Sequence, residues 1–589
     1  MVFLVLPVAA LALGACALHP FGVKNGGAGL LARLCAGAAL CGLVTLSLGG
    51  IALALARWAL IAIAAGGLTY EVFLRKRRDT GTADGAEPAS RATRGALFWL
   101  GMAAAAAGVI VAAVPAGAPA TQLETVSGAL AAAKDYDFLG RMVPYDGADS
   151  PAYATLAQCL YTWAYAGGGE GGARMLSWLL AVFAAAAVYV LAHRLSGPCA
   201  GAVAAGAFAA TPVFLNRAAA VSGDLLGAGL VLASLTALLV WRAERARVWL
   251  ALAGVFLGSA WDGRWTCLLL CCAAVPFVAC LAKETRGKQA LVFAAALAAG
   301  LAPWMLARAA AGAPFLLPVV PEAQYAAETG VLALLKFPWN LVLRPHWYGG
   351  WTTAPGGLLL ILGVPGLVVG GKRVRWLCGF AAICGLALYA VDRSHVAFLP
   401  LTAVFVGAAA VGACRLAALR PLILVALAAV LLQGLCINGW TAAAAVRGVG
   451  RPGFVAQRVP RYEAIRWAND NLPSGRRILT PDPCHYFFDL PTFRDLHAVA
   501  GLNGADPGAL RDWLRERGIA YLVFPETHVR AHRDAYPEGA VEVLDQWRGR
   551  QSEVFVLIQV LKVPALDGAG VEQVEIYEVR NGAATWPAS

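Results

Sequence analysis

The stretch NRAAAVSGDLLGAGLVLASLTALLVW, residues 216–241, carries the pattern that decides the fold of this chain. After Asp224 the sequence reaches Trp241 without a charged side chain, close to the roughly 20 apolar residues that a helix needs to cross a bilayer. Because hydrocarbon tolerates only closed backbone hydrogen bonding, such a run predicts a helix. Similar runs recur along most of the 589-residue chain, whose mean hydropathy is +0.65. The sequence therefore predicts a polytopic α-helical membrane protein.

The apolar runs predict about fourteen spans when each is matched to the thickness of a bilayer. Their approximate limits are 1–18, 34–50, 51–74, 96–116, 175–193, 199–215, 224–241, 248–261, 265–282, 289–307, 355–370, 376–391, 396–413 and 421–437.

The basic loops predict the orientation. Lys and Arg are enriched in the short loops on the cytoplasmic side, and RKRRDTGTADGAEPASRATR, residues 75–94, is the strongest such loop. Every second loop after it is basic, so the net charge of +12 is explained by topology and no nucleic-acid partner is expected. The other basic loops contain Arg194; Arg242, Arg245 and Arg247; Lys283, Arg286 and Lys288; Lys372, Arg373 and Arg375; and Arg415 and Arg420.

The same topology divides the chain into three segments. Residues 1–95 hold extra N-terminal spans and the basic loop, and residues 96–437 form the main membrane domain, with external loops at 119–173 and 309–354. Residues 438–589 predict a small extracytoplasmic α/β domain. In this tail YEAIRWANDN and LRDWLRERG read as helices, with Gly518 ending the second, and RRILTP, AYLVF, EVFVLIQVLKVPA and VEQVEIYEVR read as strands.

Fourteen cysteines raise the question of disulfides or metal binding. Nearly all lie inside apolar runs, where cysteine behaves as a small hydrophobic residue. No Cys or His spacing typical of zinc occurs, so no metal site is predicted. Cys159 and Cys484 lie at or beyond the ends of spans, and nothing in the sequence pairs them.

Ionisable residues collect on the predicted outer side. The loop QLETVSGALAAAKDYDFLGRMVPYDGADSP, residues 122–151, contains Glu124 and four aspartates. Polar groups at span mouths are costly and often functional. Each functional interpretation has a structural alternative. The loop carboxylates are then only solvated, Asp224 only caps its helix, and Asp262 only pairs with Arg264. The further outer candidates are Lys134, Asp135, Asp137, Asp146, Asp149, Asp224, Asp262, Arg264, Lys336, Arg344 and His346.

Several motifs occur between residues 96 and 437: ETVSGALAAAK, LGRMVP and SPAYATLAQCLY in the first loop, the segment that ends at Asp224, GSAWDGRWTCLLL, and LLKFPWNLVLRPHWYGGW. With these motifs, residues 96–437 resemble the transmembrane part of the GT-C glycosyltransferases, in the superfamily that contains protein O-mannosyltransferases and the lipid A aminoarabinose transferase. In this register Glu124 takes the position of the family's catalytic Asp, and Lys134 matches its Lys. Gly128 and Ala129 replace a Tyr-His pair. The tail is similar to the domain that this family usually carries after its spans.

The resemblance implies an inverting transfer of a hexose or pentose from a polyprenyl-phosphate donor to a glycan, lipid or protein hydroxyl outside the cytoplasm, at the plasma membrane. It implies Glu124 as the base, Asp224 as its support, and no metal cofactor. The substrate-binding candidates are Lys134, Asp262, Arg264, Lys336, Arg344 and His346. Because the first-loop motif departs from the family, two alternatives stay open: a non-catalytic partner in envelope glycan assembly, and a transporter of a lipid-linked glycan.

Overall fold

The computed structural model describes most of the chain in continuous segments. These are residues 5–21, 26–78, 95–122, 125–142, 155–261, 265–282, 286–310, 368–391, 399–415, 451–493, 495–531, 539–550, 554–564 and 570–580, with a few single residues between them.

The chain divides into two compact units. The first comprises Met1–Ala118, Ala154–Ala307 and Pro321–Ala443, and the second comprises Pro119–Tyr153, Arg308–Val320 and Ala444–Ser589.

Up to residue 415 the described elements are helices. They are α1 Val5–Leu18, α2 Gly27–Gly49, α3 Leu53–Arg78, α4 Ala96–Gly117, α5 Leu130–Leu139, α6 Leu156–Ser196, α7 Pro198–Ala209, α8 Pro212–Ala219, α9 Asp224–Glu244, α10 Arg247–Ser259, α11 Trp265–Leu281, α12 Arg286–Ala310, α13 Lys372–Val391 and α14 Leu399–Arg415. Within the described residues, five helices are long and apolar enough to cross a membrane, or six if one bent pair forms a single span. Most predicted spans overlap these helices, but 355–370 and 421–437 lie largely outside the described residues. The number of spans stays a prediction.

The predicted span at 199–215 corresponds to two helices joined by a bend. Helices α7 and α8 are bent by 67° relative to each other. Helix α7 ends at Ala209, and Thr211 caps α8, since its side chain accepts the N–H of Phe214 at 3.3 Å. Pro212 follows at the first helical position, where a backbone N–H would have no partner within the helix, so the N–H that proline lacks is not needed. The bend therefore arises from a Thr-Pro pair that a hydropathy profile does not weigh.

The segment predicted as an outer loop, 119–173, contains helices. Residues 130–139 form α5, and the first part of α6 begins at Leu156, ahead of the predicted span at 175–193. Gly169 interrupts α6 with φ of 59° and ψ of −150°, a conformation that glycine adopts readily. The glycine-rich GGGEGG run therefore marks a break within a helix.

Small residues allow the helices to approach closely. A Cβ added at Gly101 of α4 would lie 2.6 Å from the carbonyl carbon of Ala202 of α7. One added at Gly108 would lie 2.5 Å from the carbonyl oxygen of Ala209. Such contacts between small residues are typical of helix packing in membranes, where apolar burial alone gives helices little reason to associate.

The C-terminal segment forms an α/β fold, as predicted. Its helices are α15 Arg451–Ala456, α16 Tyr462–Asn471, α17 Leu496–Ala500, α18 Pro507–Glu516, α19 Glu526–Ala531 and α20 Ala540–Arg550, and its strands are β1 Arg477–Leu479, β2 Thr492–Phe493, β3 Ile519–Pro525, β4 Phe555–Pro564 and β5 Val571–Val579. The sheet order is β2-β1-β3-β5-β4, with β1 parallel to β2 and β3, and with β5 antiparallel to β3 and β4. Gly518, at φ of 65°, separates α18 from β3, which confirms its predicted place.

The core of this α/β fold lies between the sheet and its helices. Leu479 of β1, Leu522 of β3 and Trp547 of α20 are buried in one apolar cluster. All seven residues of β3 are buried, because β3 is the central strand of the sheet.

Candidate active site

A buried ion pair lies where α8 leads into α9. Asp224 is the first residue of α9, and its Oδ2 lies 3.4 Å from Nη1 of Arg217 on α8. The two side chains are only 4% and 6% exposed. A carboxylate at a helix N-terminus is favoured by the macrodipole, and the nearby guanidinium adds a second favourable charge. The fold thus holds a carboxylate inside the helical unit, with a cation beside it.

Hydrogen bonds from α6 position the turn that leads to Asp224. The hydroxyl of Tyr161 donates to the carbonyl oxygen of Ser222 at 2.8 Å. Ser177 Oγ in turn donates to the Tyr161 hydroxyl at 3.0 Å. Tyr161 and Ser177 lie on opposite sides of the break at Gly169, so the two halves of α6 are joined at this point.

The Oγ of Ser222 is buried and has no hydrogen-bond partner among the described residues. It lies two residues before Asp224 in the sequence, in the turn that leads into α9. A buried polar atom without a hydrogen-bond partner costs free energy, and a ligand that forms the missing hydrogen bond removes that cost.

A second buried arginine joins α6 to the end of α4. Arg174 Nε donates to the carbonyl oxygen of Ala116 at 3.1 Å, and Nη2 donates to that of Pro115. Its Nη1 also lies 3.9 Å from Glu170. A cation at these last carbonyls satisfies groups that a helix C-terminus leaves open.

Lys134 of α5 is bound to the α/β fold in the second unit. Its Nζ donates to the carbonyl oxygens of Tyr486 at 3.1 Å and Phe488 at 2.8 Å, and lies 3.4 Å from Asp489 Oδ1. The ammonium also lies 5.4 Å from the centroid of the Tyr486 ring. The predicted substrate-binding lysine therefore fastens the first-loop helix to the segment that follows β1.

The structure locates only some of the other predicted site residues. Glu124, Asp262, Arg264 and His346 lie outside the described residues. Lys336 and Arg344 are described singly and are exposed, and the Arg344 N–H donates to the Asn340 carbonyl at 2.8 Å. Asp224 belongs to the first unit, whereas Lys134 belongs to the second.

Sequence reasoning missed the partners of Asp224. Arg217 occurs seven residues before Asp224 in an otherwise apolar stretch, which is a signal that could have been used. Tyr161 and Ser177 give no such signal, because their distance from Asp224 along the chain hides their contact with its turn. Among the described residues, no group of three or more His, Cys, Asp or Glu could hold a metal ion.

The fold and the apolar helices together define a multi-pass membrane protein with a GT-C type of fold. The chain is similar to ArnT from Cupriavidus metallidurans, with 13% identity over 82% of this chain and 98% of that one. The TM-score is 0.51 for the crystal structure bound to undecaprenyl phosphate and 0.50 for the apo state. At this identity the likeness establishes the fold alone, and it confirms the resemblance that the sequence predicted.

A lower TM-score of 0.44 relates the chain to the apo form of the Archaeoglobus fulgidus oligosaccharyltransferase, at 12% identity over 77% of this chain and 72% of that one. No protein-family model and no curated protein sequence matches the chain.

Proposed function

We propose that this protein is an integral-membrane glycosyltransferase that moves a sugar from a polyprenyl-phosphate donor to an extracytoplasmic hydroxyl. The observation that carries this proposal is the buried Arg217–Asp224 pair at the start of α9, within a GT-C type of fold. Burying two charges is expensive, and ionisable groups within membrane helices usually mark a functional path. The turn that leads into α9 adds the buried Ser222 hydroxyl, which has no hydrogen-bond partner among the described residues.

An apolar cavity supports a lipid donor. It measures about 320 Å³ and lies between α1, α2, α6 and α9. Leu160 and Leu226 contribute to its wall, and each lies within two residues of Tyr161 or Asp224. The wall of the cavity and the polar cluster are therefore built on the same helix ends. We assign this cavity to the isoprenoid chain of the donor, since a cavity without polar groups favours a hydrocarbon ligand.

The reaction needs a base, a positioned acceptor and a stabilised leaving phosphate. We assign Glu124 as the base that takes the acceptor proton while the acceptor oxygen bonds to the sugar C1. The C1–O bond to phosphate breaks, and the phosphate leaves with the bonding electrons. Asp224, held by Arg217, orients the acceptor or the base. The groups proposed for the phosphate and sugar are Asp262, Arg264, Lys336, Arg344 and His346, with no metal required. Lys134, whose Nζ donates to the carbonyl oxygens of Tyr486 and Phe488, is assigned to holding its own helix instead.

A transfer assay with purified full-length protein in liposomes tests the proposal. Several polyprenyl-phosphate sugars are supplied with a panel of acceptors, and wild type is compared with Asp224→Asn and Glu124→Gln. Each substitution is expected to lower transfer by about a hundredfold or more. Glu244→Gln is the matched control, because Glu244 is an exposed carboxylate at the other end of α9 that accepts a hydrogen bond from Trp249 Nε1 at 3.1 Å.

Two results would contradict the proposal, provided circular dichroism and gel filtration show folded protein. One, which would overturn the assignment of these residues but not the activity, is transfer that survives both Asp224→Asn and Glu124→Gln. The other is no transfer by wild type from any donor, which would favour the non-catalytic partner in glycan assembly. Movement of an intact lipid-linked glycan across the bilayer would favour the transporter.

A further inference from the structure

A second groove in the helical unit lies between α11 and α13. It measures about 680 Å³, within the usual size of ligand sites. Its lining comes from Ala273, Pro276, Phe277 and Cys280 of α11 and from Lys372, Arg375, Trp376, Gly379, Phe380 and Ile383 of α13. Apart from the two cations the lining is apolar, so the groove is amphipathic along α13.

Aromatic rings form the apolar part of this groove. The Phe277 ring lies 4.7 Å from Phe380 and 6.3 Å from Trp376, measured between centroids. Trp376 is 49% exposed and Ile383 is 66% exposed, so the groove is open at its side. A Cβ at Gly379 would meet no atom within 4 Å, which leaves room beside the rings.

Cations collect at one end of the groove. Lys372, Arg373 and Arg375 are exposed side chains in the first turn of α13, which contains no acidic residue. Arg415 of α14 lies nearby, since its Nη1 donates to the carbonyl oxygen of Val369 at 3.4 Å. Within the described parts of the chain, no carboxylate forms an ion pair with these three first-turn cations.

This arrangement is electrostatically unfavourable without an anion. The helix macrodipole places partial positive charge at the N-terminus, where cations are destabilising and anions are stabilising. The N–H groups of Val374 and Arg375 donate to the Gly371 carbonyl oxygen at 3.0 and 3.2 Å, so any donors for an oxygen anion come from the residues that start the helix. The basic end of the groove is therefore complementary to a phosphate, and its apolar part is complementary to a hydrocarbon chain.

We propose that this groove binds an anionic phospholipid of the membrane. Its phosphate lies between Lys372 and Arg375, with Arg373 and Arg415 close by, and an acyl chain lies along Phe277 and Phe380. Basic pockets between membrane helices are a known means of recognising anionic headgroups. The basic loops predict that this site faces the cytoplasmic leaflet, on the opposite side from the proposed active site. The proposal does not depend on the proposed function.

Lipid retention by the purified full-length protein tests the headgroup contact. The protein is exchanged into detergent with equal amounts of phosphatidylglycerol and phosphatidylcholine, and bound lipids are counted by native mass spectrometry. Wild type is expected to retain phosphatidylglycerol selectively, and the double substitution Lys372→Gln with Arg375→Gln to weaken retention by about tenfold. The control, Arg247→Gln with Lys288→Gln, removes two exposed cations from other predicted cytoplasmic loops.

A second variant tests the chain contact. Gly379→Leu places a side chain in the open space of the groove and is expected to reduce retention while every cation remains. Glycerol phosphate, which has the headgroup charge but no chain, is expected not to compete. The proposal is overturned if both variants retain lipid as wild type does, if phosphatidylcholine is held equally well, if glycerol phosphate displaces the lipid, or if polyprenyl phosphate is preferred over phosphatidylglycerol.

Discussion

Each unit of the molecule contains a buried arginine that is paired with at least one carboxylate, and the two ion pairs differ in geometry. In the helical unit Arg217 and Asp224 meet at 3.4 Å. In the α/β fold Arg461 makes two short contacts, from Nε to Asp482 Oδ2 at 2.6 Å and from Nη1 to Glu572 Oε2 at 2.7 Å. Asp482 accepts a further bond from the Cys484 N–H at 2.8 Å. The contacts of the second cluster are therefore shorter.

The short contacts of Arg461 are typical of an ion pair that stabilises a fold. Burial lowers the pKa of Arg461, but the two carboxylates raise it by more, so its pKa lies above the ordinary value. Arg461 also adopts a left-handed backbone conformation at φ of 59°, at a cost of about 1 to 2 kcal/mol that the short bonds offset. At 3.4 Å, the contact between Arg217 and Asp224 is longer than either contact of Arg461. We therefore expect the Arg461 cluster to contribute mainly to stability, whereas under the proposed function Arg217 holds Asp224 for the reaction.

Breaking the Arg461 cluster is expected to have the largest effect. Arg461→Leu leaves Asp482 buried without its cation, which costs about 3 to 5 kcal/mol in comparable cases. Hydrogen exchange of β1 and β3 in the full-length protein measures the loss. The control Arg466→Leu removes a 65% exposed partner of Asp470 and is expected to cost about 0.5 kcal/mol or less. Equal protection in the two variants would contradict the structural assignment.

Changing Arg217 is expected to affect transfer more than stability. Arg217→Gln removes the cation that holds Asp224, and we expect transfer to fall by about tenfold to a hundredfold. Arg217→Lys keeps the charge and is expected to recover part of the rate. The assay is sugar transfer in liposomes, with thermal unfolding measured on the same samples. A loss of stability as large as that of Arg461→Leu, with unchanged transfer by the folded fraction, would reverse the comparison.

Removing the Lys134 contacts is expected to have a smaller effect. Lys134→Met deletes hydrogen bonds to Tyr486 and Phe488, and each typically contributes about 1 kcal/mol. We expect amide exchange in residues 486–489 to accelerate by about tenfold. Lys134→Arg, which can still donate to these carbonyls, serves as the control. If transfer falls while exchange is unchanged, Lys134 acts on substrate instead.

The smallest expected signal is the reactivity of Cys484. Burial, followed by the nearby charge of Asp482, raises the pKa of this thiol well above its ordinary value. Because the thiolate is the reactive form, the thiol stays protonated and unreactive at about pH 8.5. Iodoacetamide treatment and peptide mass spectrometry are expected to find Cys484 unmodified in folded protein and alkylated after denaturation. Rapid labelling of folded protein would show that the Arg461 cluster opens readily.

Local patterns were sufficient to predict most helices and strands. The apolar run of α9 and the helices and strands of the tail depend on residue spacing over short segments, and Gly518 marks a helix end by its own conformational freedom. The bend between α7 and α8 is also locally encoded, but by a capping threonine and a proline within a run that hydropathy alone treats as continuous.

The pairings at the candidate site and in the α/β fold were decided by the tertiary structure. Tyr161 reaches Ser222 across 61 positions, Arg461 reaches Glu572 across 111, and Lys134 reaches Tyr486 across 352. No local propensity encodes such contacts, because the sequence shows the same residue type whether its side chain is solvated or paired with a distant residue. The sequence therefore predicted Asp224 as a candidate site residue, whereas the packing of α6, α8 and α9 determined its partners.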